Sequence, residues 1–120
     1  MIERLSRGAL LKILSGDVLS DGTCVIKFYS NNCHLCHALK ETYEEVSSDY
    51  NDLYFFAFNI KDDPKISKVL KFKGVPNISM LKIRKGKRPE VKNIAEPKSP
   101  NEVTWYTAEE IRSFIEKEKQ

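Results

Sequence analysis

Two short apolar runs flanking one amphipathic stretch constrain the fold of this chain more than any other feature. Cys24-Val-Ile-Lys-Phe-Tyr29 is β-branched and aromatic and is ended by Ser30-Asn31-Asn32, the composition of a strand followed by a turn. From Cys33 to about Ser48 the period lengthens: Cys36, Leu39, Lys40, Tyr43 and Val46 share one helical face, and Glu41, Glu44 and Glu45 fall on another. Leu53-Tyr-Phe-Phe-Ala-Phe58 is apolar on both faces, the pattern of a central strand covered by helices. Strand, helix and strand in this order make a βαβ unit.

The rest of the chain adds elements around that unit. Ile2, Leu5, Ala9, Leu10, Ile13 and Leu14 recur at helical spacing and Gly16-Asp17 stops them, which predicts a helix over about residues 3–15. Asp62-Asp63-Pro64 suits a cap with Pro at the first helical position, and Ile66, Val69 and Leu70 supply the face of a short helix that stops near Lys73-Gly74. Ile78–Ile83 reads as a third strand and Lys85-Gly86-Lys87 as a hairpin turn. A fourth strand is expected between Arg88 and Tyr106, in a stretch broken by Pro97 and Pro100. Thr107-Ala-Glu-Glu110 matches the capping box, and Ile111, Phe114 and Ile115 continue helically behind it. With no repeat, low-complexity run or linker, the expectation is a single α/β domain over residues 1–120. A chain of this length buries about two thirds of its unfolded surface, so its core needs no metal or disulfide staple.

Charge and cysteine content narrow the setting. Twenty Lys and Arg against seventeen Asp and Glu leave +3, too even a balance to imply nucleic acid or an anionic membrane as partner. The basic turn Lys82, Arg84, Lys85, Lys87 and Arg88 reads as a solvated hairpin offset in part by Glu90. No run of eighteen apolar residues occurs, and Met1 to Gly16 shows no signal-peptide core, so a soluble cytoplasmic protein is expected. An odd count of three cysteines points to a reducing compartment.

Cys33-His34-Leu35-Cys36 sits where a strand ends and a helix begins. At that place the free amides and the positive end of the helix dipole stabilise a thiolate, which makes Cys33 the candidate nucleophile. Cys36, one turn on and on the core face, can reach the same sulfur and resolve a mixed disulfide, so the pair can cycle between dithiol and disulfide. Other chemistries fit the same letters. With His37 the run spells the Cys-x-x-Cys-His haem attachment motif, for which Met80 would be a second axial ligand. Cys33, Cys36, His34 and His37 could also be set around zinc, although adjacent side chains on one turn converge poorly. A redox-silent module whose cysteines merely pack is the third alternative. Cys24, at the start of a strand, reads as a small buried hydrophobe.

The segments Val25 to Cys36, Asn59-Ile-Lys-Asp-Asp-Pro64, Phe72 to Leu81 and Lys85-Gly86-Lys87 together resemble the thioredoxins over about residues 18–118. The spacing agrees as well as the letters, because the Pro of Gly74-Val75-Pro76 follows the cysteine pair by about forty residues, as in that family. The resemblance implies a thioredoxin-like fold, a central mixed sheet of about four strands with helices on both faces. It also implies thiol-disulfide exchange with protein disulfides or thiols through Cys33 and Cys36, with no cofactor beyond that couple. Pro76 is then expected to be cis and Val75 to offer its backbone to substrate. A reductase of the thioredoxin-reductase type would be the electron donor, and the protein a monomer.

Four positions depart from the family. Thioredoxins have Trp before the first cysteine and Gly-Pro between the two, whereas this chain has Asn32 and His34-Leu35. A protonated His34 would favour the thiolate and make the disulfide more oxidising. Where the family carries a buried acid six residues before the first cysteine, this chain has Lys27. That lysine would either tune the thiolates or snorkel away to solvent. Residues 96–106 form a loop with no counterpart in a minimal thioredoxin.

Overall fold

In the computed structural model, which describes residues 2–119, the chain runs through β1 (Glu3–Arg4), α1 (Arg7–Ser15), β2 (Gly22–Tyr29) and α2 (His34–Ser47). It continues through β3 (Tyr54–Asn59), a 3-10 turn (Ile60–Asp62), α3 (Ile66–Leu70), β4 (Asn77–Ile83), β5 (Glu90–Asn93) and α4 (Ala108–Glu118). The strands form one mixed sheet in the order β1-β3-β2-β4-β5. β3 lies parallel to both β1 and β2, while β4 is antiparallel to β2 and β5.

β2, and not β3, is the central strand. Val25 pairs with Phe55 on one side and Met80 on the other, and Cys24, Val25, Ile26 and Phe28 are wholly buried. β3 lies next to the edge, where the two residues of β1 cover only Phe56 and Ala57. Tyr54 lies beyond that cover and is 63% exposed, which the apolar composition of its run does not reveal.

Alternation along β2 sends side chains to two cores. One face packs Val25 with Leu39, Tyr43 and Val46 of α2 and Ile111 and Ile115 of α4. The other packs Cys24, Ile26 and Phe28 with Leu10 and Ile13 of α1 and Ile66 and Leu70 of α3. Helices therefore cover both faces, as expected. The sheet has one strand more than expected, and the addition is β1, which the helical spacing of Ile2 and Leu5 assigns to α1. The Leu5 amide instead donates to Ala57 O at 2.8 Å, and Ser6 starts the helix by accepting the Ala9 amide on its Oγ at 3.1 Å.

Pro64 lies in the turn before α3 and not at its first position. Lys65 precedes that helix without a side-chain cap, and its amide reaches Asp63 Oδ1 at 3.2 Å. Val69, expected on the buried face, is 60% exposed, since a helix of five residues has room for only two core contacts, Ile66 and Leu70. β5 ends well before Pro97. In the loop beyond, the Asn101 side chain accepts the Val103 and Thr104 amides, and Trp105 has a positive φ of 68°. The capping box forms as read: Thr107 N donates to Glu110 Oε1 at 2.9 Å and Glu110 N to Thr107 Oγ1 at 3.1 Å.

Candidate active site

The central strand delivers the cysteine pair. β2 ends at Tyr29, and the following loop is tied down by Asn59, 2% exposed at the end of β3, which donates to Asn31 Oδ1 at 2.9 Å. Cys33 then caps α2 with extended backbone, and its Sγ accepts the Cys36 amide at 3.1 Å. Cys33 and Cys36 are joined by a disulfide, with Cα atoms 5.2 Å apart. Cys33 is half-buried and Cys36 only 2% exposed, so an incoming group meets Cys33 first. The amide that touches Cys33 Sγ in the disulfide is also placed to hold a thiolate there.

The Val75–Pro76 bond is cis. Asn77, which follows it, pairs with Phe28, so Val75 and Pro76 lie at the end of the sheet where β2 passes into the cysteine loop. Pro76 is buried, and the backbone N–H and C=O of Val75 have no hydrogen-bond partner among the described residues. Val75 and Pro76 line a cavity of about 460 Å3 shared with Trp105 and Tyr106 of the long loop. The cysteines line a different one.

That second cavity, about 570 Å3, brings Cys33, His34, Cys36 and Lys27 together with Tyr29, Lys40, Tyr43 and Glu44. Lys27 is 5% exposed and stands on the α2 side of the sheet. Its Nζ lies 5.4 Å from the Tyr43 ring centroid and 5.8 Å from that of Tyr29. No carboxylate among the described residues comes within ion-pair distance of it. Burial lowers its pKa from 10.5 to about 8; the nearby Lys40 adds to the shift and Glu44 opposes it. His34 and His37 are exposed on the first turn of α2. Met80 is 1% exposed in the α2 core, and Cys24 is buried on the opposite face, its thiol pushed up to about 12 by burial.

Sequence reasoning missed the cavity walls. Tyr43, whose hydroxyl lies 2.8 Å from Phe56 O and 3.0 Å from Val25 O, pins α2 to β2 and β3. The stripe Cys36, Lys40, Tyr43 carried the signal, for it places a cation one turn beyond Cys36. Arg4 enters the wall through β1 and forms an ion pair with Asp62 at 2.9 Å, a meeting no local pattern announces.

An α/β sheet with helices on both faces, a Cys-x-x-Cys disulfide opening a helix and a cis X-Pro bond at the same sheet end define the thioredoxin-like thiol-disulfide oxidoreductases. The family model for Thioredoxin matches residues 12–109, and the chain belongs to that family. Solved structures of similar fold include thioredoxin f from spinach chloroplast, at 16% identity and a TM-score of 0.69, covering 99% of this chain and 94% of that one. The Trx4 domain of ERdj5 aligns at 12% identity and a TM-score of 0.74, covering 99% and 96%. A chain of the complex between ferredoxin:thioredoxin reductase and thioredoxin f2 aligns at 20% identity and 0.69, also covering 99% and 96%.

Proposed function

We propose that this protein reduces disulfides of protein substrates. The Cys33 thiolate attacks one substrate sulfur and the other leaves as thiolate, giving a mixed disulfide. Cys36 then loses its proton and attacks Cys33 Sγ, which closes the Cys33–Cys36 disulfide and releases the second substrate thiolate. Two electrons pass to the substrate, and the released sulfurs take up two protons. In this reading the unpaired backbone of Val75 binds an extended substrate segment beside Pro76, and the charge of Lys27, joined by that of His34 when protonated, favours thiolates. The couple itself is the redox group, and a disulfide reductase returns it to the dithiol. The reductase complex of thioredoxin f2 supports a donor of that class.

The observation that carries the reading is the asymmetry of the pair: Cys33 half-buried at a helix start, Cys36 2% exposed behind it. It is tested with insulin reduction and mixed-disulfide trapping. Cys33→Ser is expected to lower insulin reduction to the uncatalysed rate. Cys36→Ser is expected to accumulate covalent protein-substrate adducts that dithiothreitol releases. Normal insulin reduction by both variants would end this reading.

A further inference from the structure

We propose that the cavity behind the cysteine pair binds the carboxylate arm of a small anionic disulfide, holding its sulfurs against Cys33. This rests on the exchange chemistry above and adds a second substrate class.

The strongest indication is Lys27. A lysine whose side chain is as buried as this one, with 5% of the residue exposed, ordinarily has a carboxylate or several acceptors around its ammonium. Here it meets two aromatic rings, which attract a cation but accept no ordinary hydrogen bond from it. Its donors are left facing the cavity. A carboxylate entering there would supply charge-assisted hydrogen bonds in a setting poorer in water than the surface.

The surroundings point the same way. Lys40, an exposed cation one turn beyond Cys36, lines the same cavity and has no ion-pair partner among the described residues. Arg4 is already paired with Asp62, and Glu44 is exposed on the helix and forms no ion pair with Lys27. Two uncommitted cations thus stand against one carboxylate. The volume, about 570 Å3, is in the range of small-molecule sites. Both cysteines belong to the wall, so an anion held by Lys27 and carrying a disulfide presents sulfur to sulfur. The exchange balances as before: the reduced pair becomes a disulfide, and the small disulfide becomes two thiols.

Three disulfides with two-carbon arms separate charge from chemistry: 3,3′-dithiodipropionate is a dianion, 2-hydroxyethyl disulfide is neutral and cystamine is a dication. Protein reduced with dithiothreitol and then desalted is mixed with each at pH 7 and low salt. Loss of the thiol pair is followed by quenching and alkylation. Each rate is divided by that of the same disulfide with free dithiothreitol, which removes differences in leaving group. The normalised rate for the dianion is expected to exceed the neutral rate about tenfold and the dication to fall below it. Lys27→Met is expected to reduce the dianion-to-neutral ratio to about two, and Lys40→Gln, at an exposed position where folding is not at stake, to lower it in part. Because the readout is a ratio within one protein, any change in thiolate reactivity cancels. Equal normalised rates in the wild type, or a ratio unchanged in both variants, would overturn the site while leaving exchange intact. Failure of all three disulfides to react would overturn the exchange reading together with the site.

Discussion

An ammonium withdrawn from water is harder to keep protonated than one at the surface, and Lys27 shows this in a pKa lowered by burial from 10.5 to about 8. Between those values the unfolded chain holds a proton that the folded chain has released, so stability rises as pH climbs through that window. Below pH 8 the full cost is present. Lys27→Met is therefore expected to stabilise the disulfide form at pH 7 by about 1–2 kcal/mol, a figure reduced for screening by water in the open cavity. The gain should fade toward pH 10.5. Urea unfolding of both oxidised proteins at several pH values between 6.5 and 10.5 measures it, and a constant difference across that range would show an ammonium as well solvated as a surface one. A residue that lowers stability at neutral pH while lining the same cavity as the cysteines has the profile of a functional position.

Gly16 joins two elements. It ends α1 with φ 79°, its amide donates to Ile13 O at 3.2 Å, and its carbonyl accepts the Gly86 amide of the β4–β5 turn at 2.9 Å. A β-carbon here would run into the Gly86–Lys87 backbone, whereas one at Gly86, itself at φ 77°, would meet open space. Gly16→Ala is thus expected to cost roughly 2–4 kcal/mol and Gly86→Ala about 1 kcal/mol, the second being the left-handed penalty alone. Equal losses by urea titration would show the helix–turn contact to be dispensable. The stop at Gly16 was legible because a helix end is a local event; its partner, seventy residues later in the chain, was not. The same division runs through the fold. Thr107 and Glu110 cap each other across three residues and were readable, as were the cysteine pair and the anomalous Lys27. β1 exists only through Phe56 and Ala57, and its two residues were absorbed into a helical pattern that their spacing also fits. The central place of β2 over β3 depends on which strand β4 joins, a choice made by long-range packing and not by either strand's composition.

At the scale of the whole molecule, the sheet keeps the third sulfur, that of Cys24, apart from the Cys33–Cys36 pair. Cys33 and Cys36 lie at the end of β2 toward α2, while Cys24 faces α1 and α3 with no exposed surface and a thiol pushed up to about 12. The disulfide form is expected to show no fast-reacting thiol toward an aromatic disulfide reagent when folded and one when unfolded in urea; prompt reaction of the folded form would place Cys24 at the surface. Its seclusion gives the molecule a built-in clock. Cys24 can be alkylated only during excursions that part β2 from the helices below it, and at ordinary domain stabilities such openings occupy at most about one part in a few thousand of the time. The slow labelling rate of this one atom, divided by that of the same thiol in urea, therefore gives the fraction of time for which the sheet stands open, with no probe introduced and without disturbing the reactive pair.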